Sequence, residues 1–238
     1  MVAIGGERVP ATGQARNGVE RVHCRALGPD DHSEAVGLVT QGVLELPIYR
    51  WLFGIKGHWD LLSERSARWT AELMCEWLRQ GGGGIGAFDA DNRLVGLILL
   101  TLPGQPVPTM TEDQVAYLTE LVRADPDVGR RLVKMRGGGD ADLSRADAID
   151  VAHAVVDPRV RKSGILRKLA IAVNELALEL ARPLTLKTNV PGLAEAYRSS
   201  LFFVDTGSYV DASGATTWVF GQEVADMPQA LARLRGRG

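Results

Sequence analysis

The stretch from Ala148 to Gly221 constrains the fold more than any other part of the chain. Residues 149–156 are rich in isoleucine, valine and alanine and stop at Asp157-Pro158, which predicts a strand closed by a residue that cannot continue a ladder. Residues 163–180 then place Ile165, Leu169, Val173, Leu176 and Leu180 at helical spacing. A strand follows over 184–190, a short helix over 192–200, and strands over 201–210 and 216–220. Strand, helix, strand in this order reads as a right-handed parallel crossover. The last two strands read as an antiparallel hairpin. The fold class is therefore α/β (α+β), with helices flanking a mixed sheet.

The upstream half fits the same sheet. Residues 21–27 read as a strand, Gly28-Pro29-Asp30-Asp31 supplies turn and helix-start chemistry, and a helix runs through Val36, Leu38 and Val39. A second helix over 61–78 ends at the glycine run 81–84. That run lacks the Lys-Ser/Thr pair of a phosphate loop and is read as a connection. Residues 85–88 and 94–102 form a hairpin, and the second strand is so continuously apolar that it belongs in the middle of a sheet covered on both faces. An insert over 103–147 carries two helices, 112–122 and 127–135. The expected layout is a loose leader over 1–19, one domain over 20–222 and a basic C-terminal tail over 223–238.

Composition removes several classes. Lys+Arg 27 against Asp+Glu 29 gives a net charge of −2, which argues against a nucleic-acid binder. Cys24 and Cys75 are not paired by spacing, and His23, His32, His58 and His153 are scattered, so neither a disulfide framework nor a metal site is expected. No apolar run reaches the length of a membrane span and no signal peptide is evident, so a cytoplasmic setting without membrane contact is expected.

The chemistry-bearing segment is the loop between the strand at 149–156 and the following helix. Arg161, Lys162, Arg167 and Lys168 surround Ser163 and Gly164 at the helix start. Free amides there and the positive end of the helix dipole form an anion site, and a glycine lets a phosphate approach the main chain. A pyrophosphate suits it. A solvated basic first turn is the plainer reading of the same residues.

Val156-Asp157-Pro158 followed by Arg161-Lys162-Ser163-Gly164-Ile165-Leu166 resembles the loop of the GNAT superfamily of acyl-CoA-dependent N-acetyltransferases, Arg/Gln-x-x-Gly-x-Gly/Ala. Leu166 stands where that family usually has a small residue. Asn189, Ala194, Tyr197 and Phe202 are similar to the family's later signature, with Leu201 in place of its usual glycine. The resemblance implies a single domain with a mixed, mostly antiparallel sheet of about seven strands, one parallel pair of which is splayed. The helical insert between the third and fourth strands and the stretch Pro47-Ile48-Tyr49-Arg50-Trp51 are also similar in layout to the branch typified by puromycin N-acetyltransferase.

The resemblance also implies a reaction: acetyl-CoA as cosubstrate, a small-molecule amine as acceptor, direct transfer in a ternary complex, and no metal. It implies that Val155, Val156, Arg161, Lys162, Ser163, Gly164, Ile165, Leu166, Arg167 and Asn189 hold the acyl-CoA, with the Val156 amide polarising the thioester. Tyr197 is then the general acid. Strand alternation puts Asp150 and Ala152 on one face and His153 on the other, so Asp150 is preferred as base. Glu45, Tyr49 and Trp51 are the acceptor-site candidates, and the apolar surroundings of Trp51 and Trp59 suit a homodimer interface equally well. A noncatalytic acyl-CoA-binding module, or an acyltransferase with another donor or acceptor, is the alternative.

Overall fold

The computed structural model describes residues 22–55, 61–80, 82–105, 108–136 and 145–236, so the expected leader and Trp59 lie outside the described residues. In chain order the elements are β1 (His23–Ala26), α1 (His32–Glu45), α2 (Pro47–Leu52), α3 (Leu61–Arg79), β2 (Gly83–Phe88) and β3 (Leu94–Thr101). The insert supplies α4 (Glu112–Ala124) and α5 (Pro126–Arg136). Then come β4 (Ile149–Val156), α6 (Ile165–Glu179), β5 (Leu184–Thr188), α7 (Pro191–Ser199), β6 (Val204–Val210), β7 (Thr216–Gln222) and α8 (Met227–Gly236).

The strands form one seven-stranded sheet in the order β1-β2-β3-β4-β5-β7-β6. Only β4 and β5 run parallel, joined across α6. β3 is central, and Leu94 through Leu100 are all buried because helices cover both its faces. On one face Ile98 and Leu100 pack with Ile165, Leu169 and Val173 of α6. On the other, Leu97 and Leu99 pack with Val36, Val39 and Val43 of α1 and Ala71 and Cys75 of α3. Burial pushes the Cys75 thiol up to about 12, which keeps it protonated. The insert builds a smaller third cluster, with Tyr117, Leu121 and Val128 against Trp69.

One expectation is corrected here. The segment read as a basic tail is the helix α8, whose Met227, Ala230, Leu231 and Leu234 are buried and whose Met227 and Leu234 join the core shared with α6. Arg233 and Arg235 sit in its last turn, where they suit the helix dipole.

Candidate active site

β4 and β5 pair only from Ile149↔Leu184 to Val151↔Leu186. Beyond that point β4 runs on to Val156 without β5 beside it, so a parallel sheet opens into a cleft. Opposite, β4 keeps its antiparallel ladder with β3. In such a ladder alternate residues turn both backbone groups to the same neighbour. Asp157 donates to the Val95 carbonyl at 3.0 Å, so Val155 and Asp157 face β3. The amides of Ala154 and Val156 therefore face the cleft.

The ladder also carries a β-bulge. Leu99 pairs with His153 while Leu100 pairs with Val151, leaving Ala152 as the extra residue. This overturns the expected alternation. His153 shares the face of Leu99, toward α1, and Asp150, paired with Thr101, shares that face too. Ala152 is displaced outward and exposed.

A cavity of about 310 Å³ occupies the cleft. β4 contributes Val151 to Ala154, and β5 and its end contribute Leu186 to Asn189. Tyr197 of α7, Tyr49 of α2, Met74 of α3, Met135 of α5, and Tyr209 and Asp211 beside the β6–β7 turn complete its wall. Asp150 is not among the lining residues. His153 is, with its Nε2 buried and unpartnered. Close approach of α1 explains the burial: a Cβ on Gly42 would lie 2.9 Å from Val155 Cγ2 and 3.2 Å from His153 Nε2. Burial pulls the imidazole down to about 4, so it is neutral at neutral pH.

Burial pushes the phenols of Tyr197 and Tyr49 up to about 12. Asp211 behaves differently. Burial raises it, but hydrogen bonds from Ser213, Asn189 and Ala215 outweigh that and hold it below the usual carboxylate range. The Asn189 side chain donates to Asp211 at 3.1 Å, which ties the end of β5 to the β6–β7 turn. Sequence reasoning passed over Asp211, because Asp211-Ala212-Ser213-Gly214 reads simply as turn chemistry.

At the far end of β4 the loop residues gather at the α6 N-terminus. Asp157 caps the turn Pro158–Val160 and pairs with Arg159 at 2.6 Å. The Arg159 guanidinium and the hydrogen bonds it supplies hold the Asp157 carboxyl down. Lys162 and Gly164 both have positive φ, 64° and 88°, which turns the chain so that the first amides of α6 look outward. These amides have no side-chain cap. The glycine is required by its φ, and a Cβ there would meet only an Arg167 nitrogen at 3.8 Å, so the approach is open. Ser163 Oγ donates back to the Val160 carbonyl and braces the turn.

The remaining candidates separate. Leu166 packs inward against the core, toward Ile98, Ala154 and Tyr197, so its bulk is turned away from the outer face of the loop. Arg161 donates to the Val156 carbonyl at 3.1 Å and pairs with Glu45 at 2.8 Å. Glu45 is thus a partner of the loop and does not line the cavity. Lys168 reaches the Val22 carbonyl of the neighbouring strand entry at 3.1 Å. Trp51 lies beneath Lys134, 5.6 Å from ring centre to Nζ, outside the cavity, and only Tyr49 of the three acceptor-site candidates lines it. Among the described residues no group of three or more His, Cys, Asp or Glu could hold a metal ion, and no helix is long and apolar enough to cross a membrane.

This fold is one that solved structures share. A Corynebacterium glutamicum protein described as histone acetyltransferase HPA2 and related acetyltransferase superposes with a TM-score of 0.58 at 17% identity, covering 85% of this chain and 96% of that one. Arylalkylamine N-acetyltransferase 2 from Aedes aegypti gives 0.53 at 15%, covering 85% and 99%. An agmatine N-acetyltransferase gives 0.54 at 12%, covering 84% and 98%. No family model and no curated protein sequence matches the chain. The chain has the fold of the GNAT-superfamily N-acetyltransferases.

Proposed function

We propose that this protein is an N-acetyltransferase that moves an acetyl group from acetyl-CoA to a small-molecule amine. The observation that carries this reading is the opened β4–β5 cleft, with an anion-binding helix start at one end and Tyr197 at the other. The amides of the α6 first turn, with Lys162 and Arg167, would hold the pyrophosphate. The pantetheine arm would lie in the cleft beside Asn189, where the Val156 amide would polarise the thioester carbonyl.

The amine nitrogen attacks the carbonyl carbon, the N–C bond forms and the C–S bond breaks. The proton lost by nitrogen balances the proton gained by the departing thiolate. Asp150, the base expected from sequence, is not part of the cavity wall. His153 is, and its neutral ring would orient a water that carries the amine's proton away without itself taking that proton. Desolvation of the amine in the cleft lowers its own pKa, so no strong base is needed.

Calorimetric titration with acetyl-CoA, followed by thiol release over a panel of amines, tests this. Binding with amine-dependent release of CoA is expected. Absence of binding would sink the reading, and binding with no release by any amine would leave the noncatalytic acyl-CoA module.

A further inference from the structure

A second, smaller cavity lies at the β4–β5 split, on the α6 side of the sheet. It measures about 20 Å³, and Val151 and Ala154 of β4, Leu186 of β5 and Tyr197 line it as well as the larger cavity. The two spaces therefore meet at the same four residues, and they differ in character. The larger one is open to solvent and carries Tyr49, His153, Asn189 and Asp211 in its wall. The smaller one is completed by Ile98 of β3, by Leu166, Ala170 and Val173 of α6, and by Leu201 and Phe203, and no polar atom faces it. Asn174 borders it too, but its Nδ2 donates to the Ala170 carbonyl at 2.9 Å and its unpartnered Oδ1 contributes no surface there. A space lined in this way stays dry and takes apolar groups.

The carbonyl carbon of a thioester holds oxygen, sulfur and an alkyl chain in one plane. With the oxygen at a free β4 amide and the sulfur beside Tyr197, the alkyl chain is the third in-plane group, and the amine approaches from outside that plane. An amine that must shed a proton needs the polar side of the split, whereas an alkyl chain gains only from the apolar side. Size then sets chain length. A space holding one water needs about 10–15 Å³, so about 20 Å³ admits roughly one carbon beyond the methyl of an acetyl group. Leu166 and Leu201, which stand where the GNAT signature usually has a small residue and a glycine, both form this wall, and their bulk keeps it narrow.

Resting on the transferase reading, we infer that this cavity is the alkyl-chain pocket of the donor site, and that the protein binds propionyl-CoA more tightly than acetyl-CoA and rejects butyryl-CoA.

Calorimetric titration with acetyl-, propionyl- and butyryl-CoA tests this whatever the acceptor is. Burial of one further methylene should make propionyl-CoA bind about fourfold more tightly than acetyl-CoA. Butyryl-CoA, which overfills the space, should bind at least about tenfold more weakly than propionyl-CoA. Val173→Ile adds one carbon to the wall and should remove the propionyl advantage. Leu201→Ala widens the space and should bring butyryl-CoA to at least the affinity of propionyl-CoA, with the native far-ultraviolet dichroism kept. No binding of any of the three overturns the transferase reading and this inference together. Acetyl-CoA binding with propionyl-CoA no tighter, or with butyryl-CoA equal to propionyl-CoA, overturns this inference alone. A propionyl preference that neither substitution moves overturns the assignment of the alkyl chain to this cavity.

Discussion

Tyr197 lies against Phe203 and Phe220, with ring centres 5.9 and 5.7 Å away, and burial pushes its phenol up to about 12. A free thiolate takes a proton with a pKa of about 8.5, so full transfer from such a phenol is uphill by roughly 5 kcal/mol. Under the transferase reading the magnitude decides its role: Tyr197 would stabilise the departing sulfur by donating a hydrogen bond, and the proton would arrive afterwards from water. A bond to a charged group is worth about 1.5–3 kcal/mol, so Tyr197→Phe should lower kcat by about 10- to 100-fold with acetyl-CoA affinity within about threefold. An affinity loss with unchanged kcat, measured by calorimetry and thiol release, would assign Tyr197 to packing instead. At the other end of the cleft, Gly164 has a φ of 88°, and Gly164→Asp adds strain, bulk and like charge at the proposed pyrophosphate site. Acetyl-CoA affinity should fall by about 100-fold or more while the far-ultraviolet dichroism keeps its native shape. Unchanged affinity would remove the loop from the binding site. The places of Tyr197 in the cavity wall and of Gly164 at the helix start were legible in the sequence, because residue types at fixed spacing locate them. Leu166 was not, since its type says nothing of direction, and in the structure it turns into the core.

At the scale of elements, β4 was legible to the residue, because Asp157-Pro158 stops it and its apolar run starts it at Ile149. Its bulge was not. One extra residue in a ladder leaves no mark on composition or period, yet at Ala152 it moves His153 to the face of α1 and into the cavity wall. The C-terminal helix was hidden for a different reason. Arg233 and Arg235 dominate the composition of its end, while Met227, Ala230, Leu231 and Leu234 follow the i, i+3, i+4, i+7 spacing of an apolar stripe. That stripe packs beside α6, the helix whose first turn is the proposed anion site. Leu234 is fully buried, and Leu234→Ala should destabilise the protein by about 2–5 kcal/mol, read as a lower urea midpoint at unchanged slope. A loss below about 0.5 kcal/mol would show that α8 is a dispensable appendage.

Over the whole molecule, the histidine beside the bulge also makes stability depend on pH. His153 sits at about 4 in the folded chain against about 6.5 unfolded, because burial between β4 and α1 disfavours its charge. Between those values the unfolded state binds more protons, so stability rises with pH across this window and is lost as pH falls through it. Burial lowers His32 as well, with Arg79 adding to it, and this acts in the same sense. The depressed carboxyls of Asp31, Asp157 and Asp211 act elsewhere: their stabilisation is present above the unfolded carboxylate value and lost only below it. The two groups of residues therefore separate on the pH axis. From pH 7 to about 4.5, His153 alone should cost about 2–3 kcal/mol of unfolding free energy. His153→Leu should remove that slope while leaving the carboxylate loss at lower pH, as measured by urea unfolding at a series of pH values. Parallel curves for the two proteins would mean that the ring gains its proton without leaving the fold. Because His153 stays neutral above about pH 5, the same titration leaves kcat/KM near neutrality governed by the ionisation of the amine, which rises with pH for any acceptor the cavity admits.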